Sequence, residues 1–186
     1  MVKLLLLDFD GTVADTRQAN ALAYIDALAE AGYNLDEETY NRRYFGMRCH
    51  EFLSRVGFGS AAERNRIRQR KIDLYPSHFD TVRLNRPLME FVRNFRAHGG
   101  LAFIVSTGHI DNITNVMRHL GIGDQFDRII SGDDVAQPKP DPECFLQAMR
   151  MAGTTPSETM IFEDSEIGLE AARRSGAAVI RITRID

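Results

Sequence analysis

The sequence predicts an α/β fold, a doubly wound parallel sheet interrupted early by a helical insertion. Three observations carry that expectation. Continuous apolar runs of strand length recur, as at residues 3–8 and 101–106, and continuous runs belong to strands buried on both faces of a sheet. Helical stripes lie between such runs; Leu88, Phe91, Val92 and Phe95 fall at i, i+3, i+4 and i+7. Strands that alternate with helices pair in parallel. Between Arg17 and Arg86 the alternation stops. That stretch holds no convincing buried strand and carries 12 Lys+Arg against 9 Asp+Glu, a balance of +3, whereas the rest of a chain of net charge -3 carries -6. The expected division is therefore an α/β core of residues 1–15 and 87–186 around a helical module of residues 16–86.

Each element has its own reason. Residues 3–8 form the first strand, ended by acids and Gly11. A helix through Ala19, Leu22, Ala23 and 26–28 follows Asp15-Thr16 as its cap and stops at Gly32. Asp36 caps a short helix near 37–44, and another covers 48–56 up to Gly57. Ser60 with Glu63 makes a capping box for a fourth helix, which runs toward Tyr75 until Pro76 ends it. Pro87 suits the first turn of the helix that Gly99-Gly100 ends. Residues 101–106 are the second strand, and Ile113, Val116, Met117 and Leu120 form the next stripe, closed by Gly121. Residues 128–131 are a short strand. Asp141 caps and Pro142 starts the helix of residues 144–152. Residues 159–163 are the fourth strand, 167–175 a helix stopped by Gly176, and 177–182 the fifth strand.

Composition excludes several classes. Apolar residues are 44% of 186, and Gly plus Pro number only 14 and 6, so disordered and collagen-like chains are excluded. A chain of this length buries roughly 70% of its unfolded surface and so builds a real core. A pI near 6.0 argues against nucleic acid as a partner. The apolar run at 4–7 is too short for a membrane span, and Asp8 and Asp10 end it before a signal-peptide core is reached. Cys49 and Cys144 are too few for a disulfide framework. The expectation is a cytoplasmic protein, a monomer or weak dimer, with neither membrane nor nucleic acid as partner.

In open α/β sheets ligands bind beyond the carboxyl ends of the strands. The first strand ends in Asp8-Phe9-Asp10-Gly11-Thr12 and the second in Ser106-Thr107-Gly108. The third is followed by Gly132-Asp133-Asp134 and Pro138-Lys139-Pro140, and the fourth ends in Glu163-Asp164-Ser165. Asp8 and Asp10, two apart, share a side of the strand and repel unless neutralised. A hard cation does this, with Glu163 and Asp164 as further oxygen ligands; Mg²⁺ suits a few carboxylates plus water and phosphate oxygens. Lys139 offsets the carboxylates and holds an anion, and Ser106 donates to the same anion. Acids, a metal, a hydroxyl and a lysine together suit phosphoryl transfer, with a carboxylate as nucleophile.

These four motifs, in this order, resemble those of the haloacid dehalogenase (HAD) superfamily over nearly the whole chain. The insertion is similar to the helical cap of its phosphoglycolate phosphatase and β-phosphoglucomutase branch. The resemblance implies a HAD-like core and hydrolysis of a small phosphorylated metabolite, phosphoglycolate or a sugar phosphate. It implies Asp8 as nucleophile and Asp10 as the acid that protonates the leaving oxygen and later deprotonates water. Mg²⁺ would be held by Asp8, the backbone carbonyl of Asp10, and Asp164, with Glu163 direct or through water. Ser106 and Lys139 would bind the transferring phosphoryl group, helped by backbone amides near Phe9, Thr107 and Gly108. The cap would close over the substrate and reopen for water.

Two alternatives stay open at this point. Mutases of the branch carry a His on the first cap helix, where this chain has Asn20, which cannot act as a base. Signalling receiver domains also combine Asp, Ser/Thr and Lys with Mg²⁺, but place the phospho-accepting Asp on a central strand and lack an insertion. Arg48, after Gly46, is the candidate substrate contact of the cap. The run Arg64, Arg66, Arg68, Arg70 and Lys71 reads as a solvated helix face, and the five histidines show no metal spacing.

Overall fold

A computed structural model describes residues 1–185. The chain begins with β1 (Leu4–Leu7) and β2 (Ala14–Asp15), followed by α1 (Arg17–Glu30), α2 (Glu37–Arg43), α3 (Cys49–Arg55) and α4 (Ala61–Leu74). It continues with β3 (Arg83–Leu84), α5 (Arg86–Ala97), β4 (Leu101–Val105), α6 (Ile110–Leu120) and β5 (Arg128–Ile130). It ends with α7 (Glu143–Ala152), β6 (Thr159–Glu163), α8 (Glu166–Ser175) and β7 (Ala178–Arg181). These elements sort into two compact units, Met1–Asp15 with Arg83–Asp186, and Thr16–Val82.

In the first unit, five parallel strands form one sheet in the order β5-β4-β1-β6-β7. Leu4 to Leu7 are all fully buried, as the unbroken apolar run requires of a strand covered on both faces. Leu4, Leu6, Phe103, Val105 and Ile161 form one face, on which Phe145 and Ala148 of α7 and Ala171 and Ala172 of α8 pack. The order fixes where chemistry sits. The chain builds outward from β1 through β4 to β5, then crosses to the other side of β1 for β6. The carboxyl end of β1 is thus the switch point of the sheet, where a doubly wound fold leaves a crevice. It also makes β1 the middle strand. Receiver domains therefore cannot be set apart by the position of the aspartate, only by the insertion; being first in sequence does not make a strand peripheral.

The sequence pattern missed one small element. Ala14 pairs with Leu84 and Asp15 with Arg83 in an antiparallel ribbon. Two-residue strands leave no apolar run to read. Asn85 anchors the return of the chain: its N–H donates to the Val13 carbonyl at 2.9 Å and its Nδ2 to the Thr12 carbonyl at 3.0 Å.

The second unit is helical around an aromatic cluster. Tyr24, Tyr40 and Phe52 meet in pairs with ring centroids 5.0–5.6 Å apart. Asp36 caps α2 through the Thr39 N–H, and Ser60 and Glu63 form the capping box of α4. α4 ends at Leu74, just before Pro76 as expected, and the chain tightens there into a 3₁₀ helix through Thr81 with Pro76 in its first turn. One expectation is corrected. Lys71 is not on a solvated face: it is 1% exposed, its Nζ donates to Asn20 Oδ1 at 2.8 Å, and it stands 3.7 Å from the Tyr75 ring centroid. A run of arginines hides a single inward position because a helix turns 100° per residue. Two smaller boundaries also move. Thr16 flanks α1 without a side-chain capping bond, and α7 starts at Glu143, whose N–H donates to Asp141 Oδ1 at 3.0 Å. Among the described residues no helix is long and apolar enough to cross a membrane.

Candidate active site

Asp8 follows directly on β1 and is 7% exposed. Its N–H donates to the Phe162 carbonyl at 3.0 Å, which carries the ladder one residue past the strand. Lys139 comes in from the loop before α7. Its ammonium has three protons, and the structure spends all three: on Asp8 Oδ1 at 2.7 Å, on Glu163 Oε2 at 2.6 Å and on the Val105 carbonyl at 3.1 Å. Contact with a phosphoryl oxygen therefore exchanges one of these bonds, and the first task of Lys139 here is to hold Asp8.

Glu163 ends β6 and is fully buried. Oε2 faces Lys139, and Oε1 accepts from the Asp164 N–H, the Ser165 N–H and Ser165 Oγ at 2.8–3.1 Å. Both oxygens are thus occupied by protein donors. The space for this comes from Gly168, where an added Cβ would lie 2.1 Å from the Glu163 carboxyl carbon. Ser165 also caps α8 through the Gly168 N–H. Asp164 is half-buried, and its Oδ1 accepts from Thr12 Oγ1 at 3.2 Å. Its Oδ2 lies where a Cβ on Gly11 would be, 2.2 Å away, and Gly11 also has a left-handed φ of +91°. Thr12 and Gly11 had a place in the motif but no role; the partner that explains them is about 150 residues away, beyond the reach of local pattern.

The electrostatics follow from the count of charges. Asp8, Glu163 and Asp164 place ligand oxygens within 4.8 Å of one another. Three carboxylates face one ammonium. Burial, then the Glu163 charge, push the Asp8 carboxyl well above its ordinary range, with Lys139 opposing. Burial and Glu163 likewise push Asp164 up to about 6. Burial works against the Lys139 ammonium, but the Asp8 and Glu163 carboxylates outweigh it and hold its pKa above the ordinary lysine value. All donors are hard oxygens with excess negative charge, and that set fits a divalent cation such as Mg²⁺. Asp8, Asp164 and Glu163 are the carboxylates placed to hold one, the oxygens of Glu163 accepting from Lys139 and the Ser165 turn as well.

Asp10 is not one of the three carboxylates grouped within 4.8 Å. It bridges to Ala14 in a tight turn, where the Gly11 N–H donates to the Ala14 carbonyl. A Cβ on Gly108 would lie 3.4 Å from Asp10 Oδ2, so the turn after β4 passes close to this carboxylate. In that turn the Gly108 N–H donates to Ser106 Oγ at 3.0 Å. The Gly108 amide is thus committed to Ser106, whose own O–H is left to donate elsewhere. Thr107 is half-buried beside them, and Arg48, exposed, precedes α3 in the helical unit.

Comparison with known proteins agrees with this geometry. The family model for haloacid dehalogenase-like hydrolases matches residues 5–182. Fructose-1-phosphate phosphatase YqaB of Escherichia coli is 26% identical over 196 residues, covering 96% of this chain and 95% of the relative. Beta-phosphoglucomutase of Bacillus subtilis is 26% identical over 195 residues, covering 97% and 83%. The crystal structure of CbbY from Rhodobacter sphaeroides in complex with phosphate superposes with a TM-score of 0.88 at 24% identity, covering 97% of this chain and 86% of that one.

Proposed function

The chain belongs to the haloacid dehalogenase-like hydrolases, and from that premise we propose that it is a Mg²⁺-dependent phosphatase working through an aspartyl phosphate. Its substrate is a small phosphate monoester of the phosphoglycolate or sugar phosphate class. One observation carries the reading: Asp8, at the switch point of the sheet, has one oxygen fixed by Lys139 at 2.7 Å, which leaves the other to attack.

In this reading Asp8 Oδ2 forms a bond to phosphorus as the ester oxygen leaves in line. Asp10 gives that oxygen its proton. Asp10 then takes a proton from the water that attacks the aspartyl phosphate, so phosphate departs and the Asp8 carboxylate returns. Ser106 donates its O–H to the phosphoryl group, with its Oγ held from behind by the Gly108 N–H. Asp8, Asp164 and the Asp10 carbonyl would hold the Mg²⁺, with Glu163 direct or through water, while Glu163 also braces Lys139. When bound, the ion would neutralise charge between the acidic cluster and the phosphoryl oxygens. Residues 16–86 act as the cap that chooses the substrate, with Arg48 as its candidate contact.

The relative named as a mutase supports a second reading, transfer of the phosphoryl group between sugar hydroxyls. Asn20 speaks against it. Its Nδ2 donates to Thr16, its Oδ1 accepts from Lys71, and an amide offers no base to shuttle a proton. Supplying β-glucose 1-phosphate separates the two: a phosphatase releases inorganic phosphate, and a mutase yields the 6-phosphate. Asp8→Asn tests the nucleophile. It should lower Mg²⁺-dependent hydrolysis of p-nitrophenyl phosphate by at least about 10³-fold while the protein stays folded. Robust hydrolysis by that variant would end the assignment.

A further inference from the structure

We propose that Gly132 and Asp133, on the loop after β5, are positioning residues that set the Ser106–Thr107–Gly108 turn. The inference rests on the reading of that turn as the phosphate seat, and it concerns a loop with no assigned part in the reaction.

The segment from Ser106 to Ile110 meets β5 and the loop after it at four points. The Ser106 N–H donates to the Ile130 carbonyl at 2.9 Å, and the Gly132 N–H donates to the Gly108 carbonyl at 2.9 Å. Asp133 Oδ2 accepts from the Ile110 N–H at 3.2 Å and stands 3.3 Å from His109 Nε2. His109 Nδ1 faces Asp111, whose N–H lies at 3.3 Å and whose Oδ2 lies at 3.4 Å, and Nε2 faces Asp133. Gly132 makes the approach possible. A Cβ there would lie 2.3 Å from the Thr107 carbonyl oxygen, which is backbone and cannot swing aside.

The loop that does the holding is itself braced. Asp134 Oδ2 accepts from both the N–H and the Oγ of Ser131 at 2.7–2.8 Å, and the Asp133 N–H donates to Ser131 Oγ at 3.3 Å. The frame therefore has a rigid side and a functional side. Moving Gly132 moves Thr107 and Gly108. Gly108 in turn sets the Oγ of Ser106 through its N–H, and its Cα borders the carboxylate of Asp10. No contact of Gly132 or Asp133 with a substrate is needed for either to matter.

The test uses orthovanadate, a phosphate analogue, as an inhibitor of the Mg²⁺-loaded protein, alongside kcat and KM for p-nitrophenyl phosphate. Gly132→Ala should raise KM and the vanadate inhibition constant by about tenfold or more, since a displacement of this size at a positioning group is costly. Asp133→Ala should raise both by a smaller factor, and Asp133→Asn, which keeps an acceptor for Ile110, should restore most of the loss. A purely structural role would lower thermal stability in all three and leave vanadate affinity per folded molecule unchanged. If Gly132→Ala does not fold, the Asp133 pair reads the same quantity. Vanadate inhibition and KM within twofold of the parent in the folded variants overturn the inference. An inactive parent overturns the phosphatase reading instead, so the two failures are distinct.

Discussion

Each compact unit buries a lysine, and the two are stabilised by different means. Lys139 in the α/β unit is ringed by carboxylates, with Asp8 and Glu163 within 2.7 Å of its ammonium. Lys71 in the helical unit sits against the Tyr75 ring and the Asn20 amide. The first arrangement holds more charge than it needs. Two carboxylates on one ammonium, with Asp164 beside them, leave an excess that an incoming cation or proton relieves. The second uses an aromatic face to take part of the role of water around a cation. A buried charge held in excess among carboxylates marks a place for chemistry.

The largest effect expected from this comparison is on stability. Lys139→Met leaves Asp8 and Glu163 buried without their cation, and breaking such a pair costs about 3–5 kcal/mol. Lys71→Met keeps the volume and the ring contacts; loss of the Asn20 hydrogen bond and of the cation–π contacts with Tyr75 and Tyr24 is worth about 1–2 kcal/mol together. Urea unfolding of both variants checks the ranking. Equal losses, or a larger one at Lys71, would break the contrast.

What the sequence made legible follows from the same difference. The five strands of the sheet were readable as short apolar runs, four of them with acids, Ser or Gly at the end, and the acids that end β1 and β6 form the candidate site. The caps at Asp36 and Ser60 were readable because capping is local. Lys71 was hidden because its ring and its amide, Tyr75 and Asn20, come from different segments, and the arginines around it follow a surface pattern. The orientation of Glu163 was equally hidden. Its type and place predicted a metal ligand, direct or through water; the bonds its two oxygens take from Lys139 and the Ser165 turn, in space left by Gly168, had no local signal. Residue type and strand position are thus carried by the sequence, whereas the direction of a carboxylate depends on neighbours that only folding supplies.

Glycines sharpen the comparison at intermediate size. Gly168 gives up its side chain so that Glu163 can fit, and Gly168→Ala forces a Cβ to within 2.1 Å of that carboxylate. The expected loss is about 1–3 kcal/mol, as for other overpacked positions, with a fall in kcat because Glu163 braces Lys139. Gly46 of the helical unit has a left-handed φ of +84° and open space where a Cβ would go. Gly46→Ala then costs only the backbone preference, about 1 kcal/mol, and leaves kcat alone. A drop in kcat at Gly46 with none at Gly168 would reverse the assignment of chemistry to the α/β unit.

The smallest effect compares the two ends of β6. Asp164, past its carboxyl end, is half-buried among acids and is pushed up to about 6. Glu158, before its amino end, is a surface group that accepts from Lys3 Nζ at 2.6 Å and from the Thr155 N–H, and these donors pull it down to about 2. A carboxylate depressed by folding contributes stability that is fully present above its unfolded pKa, near 4.3, and is lost as the pH falls through its folded value. Glu158→Gln should therefore lower the melting temperature by a few degrees at most at pH 6, where an exposed pair is screened by water and salt. The gap between variant and parent should shrink as the pH falls from 4.5 toward 2. A gap that grows on acidification would mean that the Glu158 carboxylate opposes folding, and the donors at Lys3 and Thr155 would not be what fixes its charge.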